Sequence, residues 1–123
     1  RDSINDKREG VFNRFYENGQ LMDKKYYKDD NLDGECLSYY EDGTLQFITY
    51  YIMDKIHGEY KAFSGQGGMS SKGYYHEGVK HGQFTYYNAE GDARFADKFV
   101  NGELVAKYNI KNNKYKRYYN YSR

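Results

Sequence analysis

The sequence predicts an all-β protein: an elongated, twisted antiparallel meander of tandem 24-residue β-hairpin repeats in a single sheet. Three observations carry this reading. Two glycine series run in phase at that period, Gly10, Gly34, Gly58 and Gly82 in one and Gly19, Gly43, Gly67 and Gly91 in the other. Aromatic columns share the period. With the first glycine as position 1, Phe12, Cys36, Tyr60 and Phe84 fall at position 3, Phe15, Tyr39, Phe63 and Tyr87 at position 6, and Tyr27, Tyr51, Tyr75 and Phe99 at position 18. Turn-forming pairs punctuate each unit twice, so two strands and two turns fit per repeat.

Taken in order, residues 1–9 read as the end of a preceding repeat, because Asn5-Asp6 falls in its second-turn column. Residues 10–33, 34–57, 58–81 and 82–105 are four repeats, and 106–123 form a basic, tyrosine-rich cap. Asn18-Gly19 and Asp42-Gly43 have the chemistry of two-residue type I′ turns, with Gln66-Gly67 and Glu90-Gly91 in the same column. The second turn falls at Asp29-Asp30, Met53-Asp54, Glu77-Gly78 and Asn101-Gly102. Position 1 is then a glycine within a strand, a weak point that rings from a neighbouring strand can cover. Positions 3 and 6 differ in parity, which calls for a bulge between them. In the cap Ala106 replaces the expected glycine, and Tyr108 continues the position-3 column.

Composition is consistent with this plan. Leu, Ile, Val and Phe number only 21 of 123 residues, a value that in other chains accompanies disorder. Here the net charge is +1, and 17 tyrosines and 7 phenylalanines supply ring area in place of aliphatic side chains. No proline interrupts a ladder. Cys36, the single cysteine, rules out an internal disulfide and reads as a small buried residue. No apolar run is long enough to span a bilayer as a helix. The chain starts at Arg1, which points to an upstream segment: a signal peptide, a lipoprotein leader or further repeats. The Tyr, Asn and Lys bias suits an AT-rich bacterial genome. Location stays open between the cytoplasm and export to the cell envelope with a leader removed.

The unit Gly-x-aromatic-x-x-Tyr-Tyr-x-x-Gly-x-Leu, followed by Tyr-Tyr, a turn and a new glycine, resembles the bacterial variant of the MORN (membrane occupation and recognition nexus) repeat. Tyr39-Tyr40-Glu41-Asp42-Gly43-Thr44-Leu45 and His57-Gly58-Glu59-Tyr60 carry the resemblance most fully, and it extends over about residues 4–108. It implies a curved antiparallel sheet and association with proteins or membrane surfaces. Many bacterial members are labelled antitoxin- or immunity-like. The family shares no catalytic residues, so none is transferred. Two positions depart from the pattern: residues 63–68, Phe-Ser-Gly-Gln-Gly-Gly, replace a Tyr-Tyr and an Asn-Gly turn, and Lys98 stands in the aromatic position-17 column.

Chemistry finds little foothold. His57 and His81 share a column but lie two strands apart, about 9.6 Å at ordinary strand spacing, too far for a common zinc without strong leaning. Gly65-Gln66-Gly67-Gly68 lacks the following helix and the Lys-Ser/Thr of a phosphate loop, and reads as an altered hairpin turn. There is no nucleophile elbow. The 18 carboxylates mostly alternate with lysines or sit in turns. The expectation is a protein that is not an enzyme and needs no cofactor or metal.

The expected function is therefore a non-catalytic protein-interaction or scaffolding module. Tyr26, Tyr50 and Tyr74 at position 17 are the candidate partner contacts, since positions 17 and 18 face opposite sides and position 18 is aromatic in all four repeats. The alternative is glycan or cell-wall binding through stacked tyrosines, although tryptophan is absent. A third reading is association with an anionic membrane surface through Lys111, Lys114, Lys116 and Arg117. Residues 107–123 hold six basic groups and no acid, and 1–105 hold 13 basic against 18 acidic. Nucleic acid is not favoured. Open sheet edges leave edge-to-edge self-association available. The cap should add at least one strand, with Tyr108, Tyr115, Tyr118 and Tyr121 partly buried and Lys111, Lys114 and Lys116 exposed.

Overall fold

Two kinds of turn alternate along the chain and set all of the strand pairing. A computed structural model describes residues 7–120; Asn5-Asp6 and Tyr121 lie outside the described residues. The strands are β1 (Gly10–Phe15), β2 (Leu21–Lys28), β3 (Asn31–Leu32), β4 (Gly34–Tyr39), β5 (Leu45–Ile52), β6 (Lys55–Ile56), β7 (Gly58–Phe63), β8 (Met69–His76), β9 (Val79–Lys80), β10 (Gly82–Tyr87), β11 (Ala93–Val100), β12 (Glu103–Lys111) and β13 (Lys114–Asn120). They form one antiparallel sheet in the order β1-β2-β4-β5-β7-β8-β10-β11-β12-β13, with β3, β6 and β9 paired to β2, β5 and β8. No helix occurs among the described residues. The all-β tandem meander expected from the sequence is the observed architecture.

The type I′ geometry expected at Asn18-Gly19 and its column is not found there. The loops at residues 17–19, 41–43, 65–67 and 89–91 are three residues long. Gly19 N–H donates to the Tyr16 carbonyl at 3.0 Å and Tyr16 N–H to the Gln20 carbonyl at 2.8 Å, and the other three loops repeat this pair of bonds. Only the glycine has positive φ (+90° at Gly19), so the loop is a type I turn closed by a left-handed glycine. Asn18 and Asp42 serve it through their side chains, each accepting the N–H two residues on at 2.9 Å. The two-residue type I′ turns lie instead at Asp29-Asp30, Met53-Asp54, Glu77-Gly78 and Asn101-Gly102, where both residues have positive φ, and again at Asn112-Asn113. These turns also join neighbouring repeats. Asp30, Asp54, Gly78 and Gly102 donate backbone N–H groups to the carbonyls of Arg8, Leu32, Ile56 and Lys80, at 2.8–3.0 Å.

The position-1 glycines occupy bulges. Between β2 and its partners the pairing runs Tyr27↔Leu32 and then Lys24↔Leu37, so two extra residues are inserted around Asp33-Gly34. The same insertion recurs around Gly58 and Gly82. Gly34 and Gly58 adopt φ of +118° and +111°, so backbone conformation is the first reason for glycine there. Cover by a neighbouring ring is the lesser reason. A Cβ on Gly34 would sit 3.5 Å from Tyr26 Cβ, and one on Gly58 would sit 3.4 Å from Tyr50 Cβ, both ordinary contacts.

A second bulge does fall between positions 3 and 6 in register, but its extra residue sits on the partner strand. Arg14 pairs with Asp23 and Phe15 with Leu21, leaving Met22 unpaired, and Gln46, Ser70 and Arg94 repeat this. Positions 3 and 6 therefore face opposite sides.

Residues directly opposite in the ladder share a face. Position 3 pairs across to position 16, and position 18 stands beside it, so one side of the sheet, the ring face, carries Phe12, Tyr27, Cys36, Tyr51, Tyr60, Tyr75, Phe84 and Phe99. Successive edge-to-face and tilted contacts link Phe47, Tyr60, Tyr75, Phe84 and Phe99 at centroid distances of 5.4–6.1 Å. Phe84 is the most enclosed large side chain, 2% exposed. It lies over Gly73 of β8, whose missing side chain makes the room.

The last unit inverts this arrangement. Across β11 and β12 only one extra residue separates Phe99↔Leu104 from Lys98↔Ala106. An insertion of two residues preserves facing and an insertion of one reverses it. Ala106 lacks positive φ, and β12 runs unbroken. Tyr108 therefore leaves the ring face, and Ala96, Ala106 and Ile110 become a small buried cluster on the reverse face. β13 confirms the extra strand of the cap. Lys111, Lys114 and Lys116 are exposed as expected, but Tyr115 and Tyr118 are each 49% exposed, because nothing packs beyond this edge strand among the described residues.

Candidate functional site

The repeat places Tyr26, Tyr50 and Tyr74 on the reverse face, on β2, β5 and β8, two strands apart and so at intervals of about 9.6 Å. Tyr26 and Tyr50 are half-buried and Tyr74 is exposed. The carbonyl of each holds its bulge, accepting the N–H of Asp33, His57 and His81 at 2.9, 2.7 and 2.9 Å. The stripe thus stands on the bulges, and the fourth unit, which has Ala106 for the glycine, also has Lys98 for the tyrosine.

Charge flanks the stripe. Across the ladder Tyr26 faces Val11, Tyr50 faces Glu35 and Tyr74 faces Glu59. The Tyr50 hydroxyl donates to Glu35 Oε2 at 3.2 Å, and this carboxylate pushes the phenol above its ordinary pKa. Lys24 Nζ lies 5.8 Å from the centre of the Tyr26 ring. Rings with polar ends, bordered by both signs of charge, suit recognition of a mixed polar and apolar surface.

The four basic candidates in the cap divide between faces. Register puts Lys111, Lys114 and Lys116 on the ring-face side, whereas Arg117 pairs across from Tyr108 on the reverse face. The Arg117 guanidinium lies 5.3 Å from the Tyr108 ring centre and donates to its hydroxyl at 2.9 Å.

Several groups with possible chemistry are engaged structurally. Asp97, largely buried, accepts Lys107 Nζ at 2.9 Å and the Tyr86 hydroxyl at 3.3 Å. Burial, with Asp97 adding to it, pushes the Tyr86 phenol up to about 12. Asp23, 6% exposed, is paired with Arg14. Cys36 is buried, and burial raises its thiol pKa. The histidines make a closer group than the sequence suggests. His76 stands between His57 and His81, at centroid distances of 5.0 and 6.0 Å. His57 Nδ1 accepts the Glu77 N–H at 3.0 Å, which assigns it to holding a turn. Among the described residues no group of three or more His, Cys, Asp or Glu is placed to hold a metal ion.

Sequence reading missed three features that organise these surfaces. Gly73 and Phe84 were not seen as a pair, because Gly73 lies outside both glycine series. Tyr16 and Tyr40 at position 7 tie successive hairpins together through their hydroxyls, and their shared column was the available signal. His76 was missed because only two of the three histidines share a column.

No curated protein matches the chain. Solved structures similar to it include a mutant of TarM from S. aureus in complex with fondaparinux, alpha-GlcNAc-glycerol and UDP, at 14% identity and a TM-score of 0.48, covering 81% of this chain and 20% of that one. TarM itself is similar at 16% identity and a TM-score of 0.44, covering 91% and 20%. The Glycosylation Associate Protein complex from Streptococcus agalactiae is similar at 19% identity and a TM-score of 0.33, covering 88% and 18%. The chain spans about a fifth of the length of each. The family model for the MORN repeat variant matches residues 8–29 and 32–53, the first two hairpins, each match ending at the first residue of a type I′ turn. Repeats of this family are associated with binding or membrane association and are not catalytic. With the same two-residue turns recurring at Glu77-Gly78 and Asn101-Gly102 in the third and fourth units, the chain is a MORN-variant repeat protein.

Proposed function

We propose that the chain is a non-catalytic protein-interaction module that meets its partner on the reverse face, through Tyr26, Tyr50 and Tyr74. The observation that supports this best is the regular stripe of partly open tyrosines mounted on the bulges, with Glu35 and Glu59 beside it. The opposite side is occupied by ring-to-ring packing that encloses Phe84 and ends at Phe99. Tyrosine gives large, rigid contact area at small entropic cost, which is why it recurs in protein interfaces. An antitoxin- or immunity-like role would be one form of such binding. Replacement of the three tyrosines by serine tests the reading. The folded triple variant loses a partner that the unaltered chain retains on affinity capture, and a glycan array stays blank for both. Array binding that disappears in the variant would move the stripe to carbohydrate recognition. Salt-sensitive sedimentation with anionic vesicles, reduced by Lys111, Lys114 and Lys116 replacement, would favour a membrane role for the cap.

A further inference from the structure

In the first two junctions between repeats, a tyrosine ties each hairpin to the next. Tyr16 Oη donates to the Tyr39 carbonyl and Tyr40 Oη to the Phe63 carbonyl, both at 2.7 Å. Each of these tyrosines closes a three-residue loop, and each acceptor is the position-6 residue of the following unit. At the third junction the same position is Ser64. Its Oγ faces its own loop, accepting the Gln66 N–H at 3.3 Å. The Tyr87 carbonyl, the equivalent acceptor, receives no tyrosine hydroxyl from the preceding hairpin.

The ring's place is open. A groove of about 580 Å³ runs between the third and fourth hairpins, lined by Ser64, Gln66, Met69, Ser70, Tyr87 and Asn88 among others. The walls keep the character they have where a tyrosine is present. Met69 continues the position-12 column of Leu21 and Leu45, and Tyr87 continues the position-6 column of Tyr39 and Phe63. Only the filling side chain is gone.

We propose that this groove is a slot for a tyrosine side chain of a protein partner, with Met69 and Tyr87 flanking the phenol and the Tyr87 carbonyl accepting its hydroxyl. The repeat itself argues for this occupant. Two equivalent junctions hold a phenol with its hydroxyl on the corresponding carbonyl, so the surroundings match that group in size and in hydrogen bonding. The slot is separate from the stripe of Tyr26, Tyr50 and Tyr74, and the Tyr→Ser triple variant leaves it intact, so the two readings fail independently.

The test is an NMR titration of the full chain with N-acetyl-tyrosinamide. Saturable shifts are expected, confined to residues 64–70 and 87–89, with N-acetyl-phenylalaninamide about fivefold weaker for want of the one hydrogen bond. Ser64→Tyr refills the slot, abolishes these shifts and raises the melting temperature. Met69→Glu, a change in one wall, weakens binding and covers the case in which Ser64→Tyr does not fold. Absence of saturable shifts, equal affinity for the two amides, shifts produced by N-acetylglucosamine instead of the phenol, or unchanged binding to a folded Ser64→Tyr variant would each overturn the proposal.

Discussion

Replacing Gly73 with alanine adds a methyl group within about 2.5 Å of Phe84 Cγ, and closer still to Cδ2 and Cε2. Carbon atoms in good contact stand about 3.5–4.0 Å apart, so the ring must withdraw by about 1 Å or more. It has little freedom to do so. Phe84 is 2% exposed, with Tyr75 and Phe99 at 5.5 and 5.4 Å between centroids and Lys80 Nζ at 5.2 Å. Overpacking of this kind costs about 1–3 kcal/mol, whereas removing a flexible strand glycine returns about 0.5–1 kcal/mol. Gly73 has no positive φ, so its cost is steric alone. A net loss of about 1 kcal/mol lowers the melting temperature of a chain this size by about 4 °C. Thermal denaturation followed by circular dichroism measures it, in the native background and in Phe84→Leu. The alanine should cost much less beside the smaller side chain. A melting temperature for Gly73→Ala at or above the unaltered value, or the same loss in both backgrounds, would refute the packing argument.

Met53 holds φ of +49° in a type I′ turn with its side chain 63% exposed, so Met53→Asn should stabilise by about 0.5–1 kcal/mol, or about 2–4 °C on melting. The Tyr86 phenol has its pKa raised from 10.0 to about 12 in the folded chain. Its contribution to stability is complete below its unfolded value and is lost as pH rises through that window; denaturant titrations should show a steep alkaline fall that Tyr86→Phe makes shallower, with Tyr51, Tyr75 and Cys36, raised by burial, and Tyr50, raised by its hydrogen bond to Glu35, contributing to what remains. Deleting residues 112–123 removes β13, uncovers Ile110 (4% exposed) and leaves β12 as an open edge, so the truncated chain should melt earlier and associate with concentration in sedimentation velocity.

The period, the two long strands of each unit and the turn positions were legible because glycines and aromatic residues mark them, and the two-residue strands β3, β6 and β9 were not. Turn type was not. Asn-Gly serves a two-residue turn and also the end of a three-residue one, and the choice depends on which flanking residues pair, here Tyr16 with Gln20. At Met53 and Glu77 the ladder on both sides imposes positive φ against local preference. The inversion of facing in the last unit follows from a bulge of one residue in place of two, and the sequence shows only an alanine where a glycine was expected. The tyrosine stripe was legible as a column, and its relation to the bulge was not, because the hydrogen bonds from Asp33, His57 and His81 to it require the register. Exposure of Tyr115 and Tyr118 depended on what packs beyond β13, which no pattern within the chain records.

Recognition is proposed to use the reverse face. A photo-reactive phenylalanine analogue at position 50 or 74, compared with one at Phe95, which register places on the ring face with 50% exposure, tests it most directly. Illumination in a lysate of the source cells, followed by mass spectrometry, should yield one protein cross-linked from positions 50 and 74 and absent from position 95. The same protein cross-linked from position 95 alone, or equally from all three, would contradict the claim.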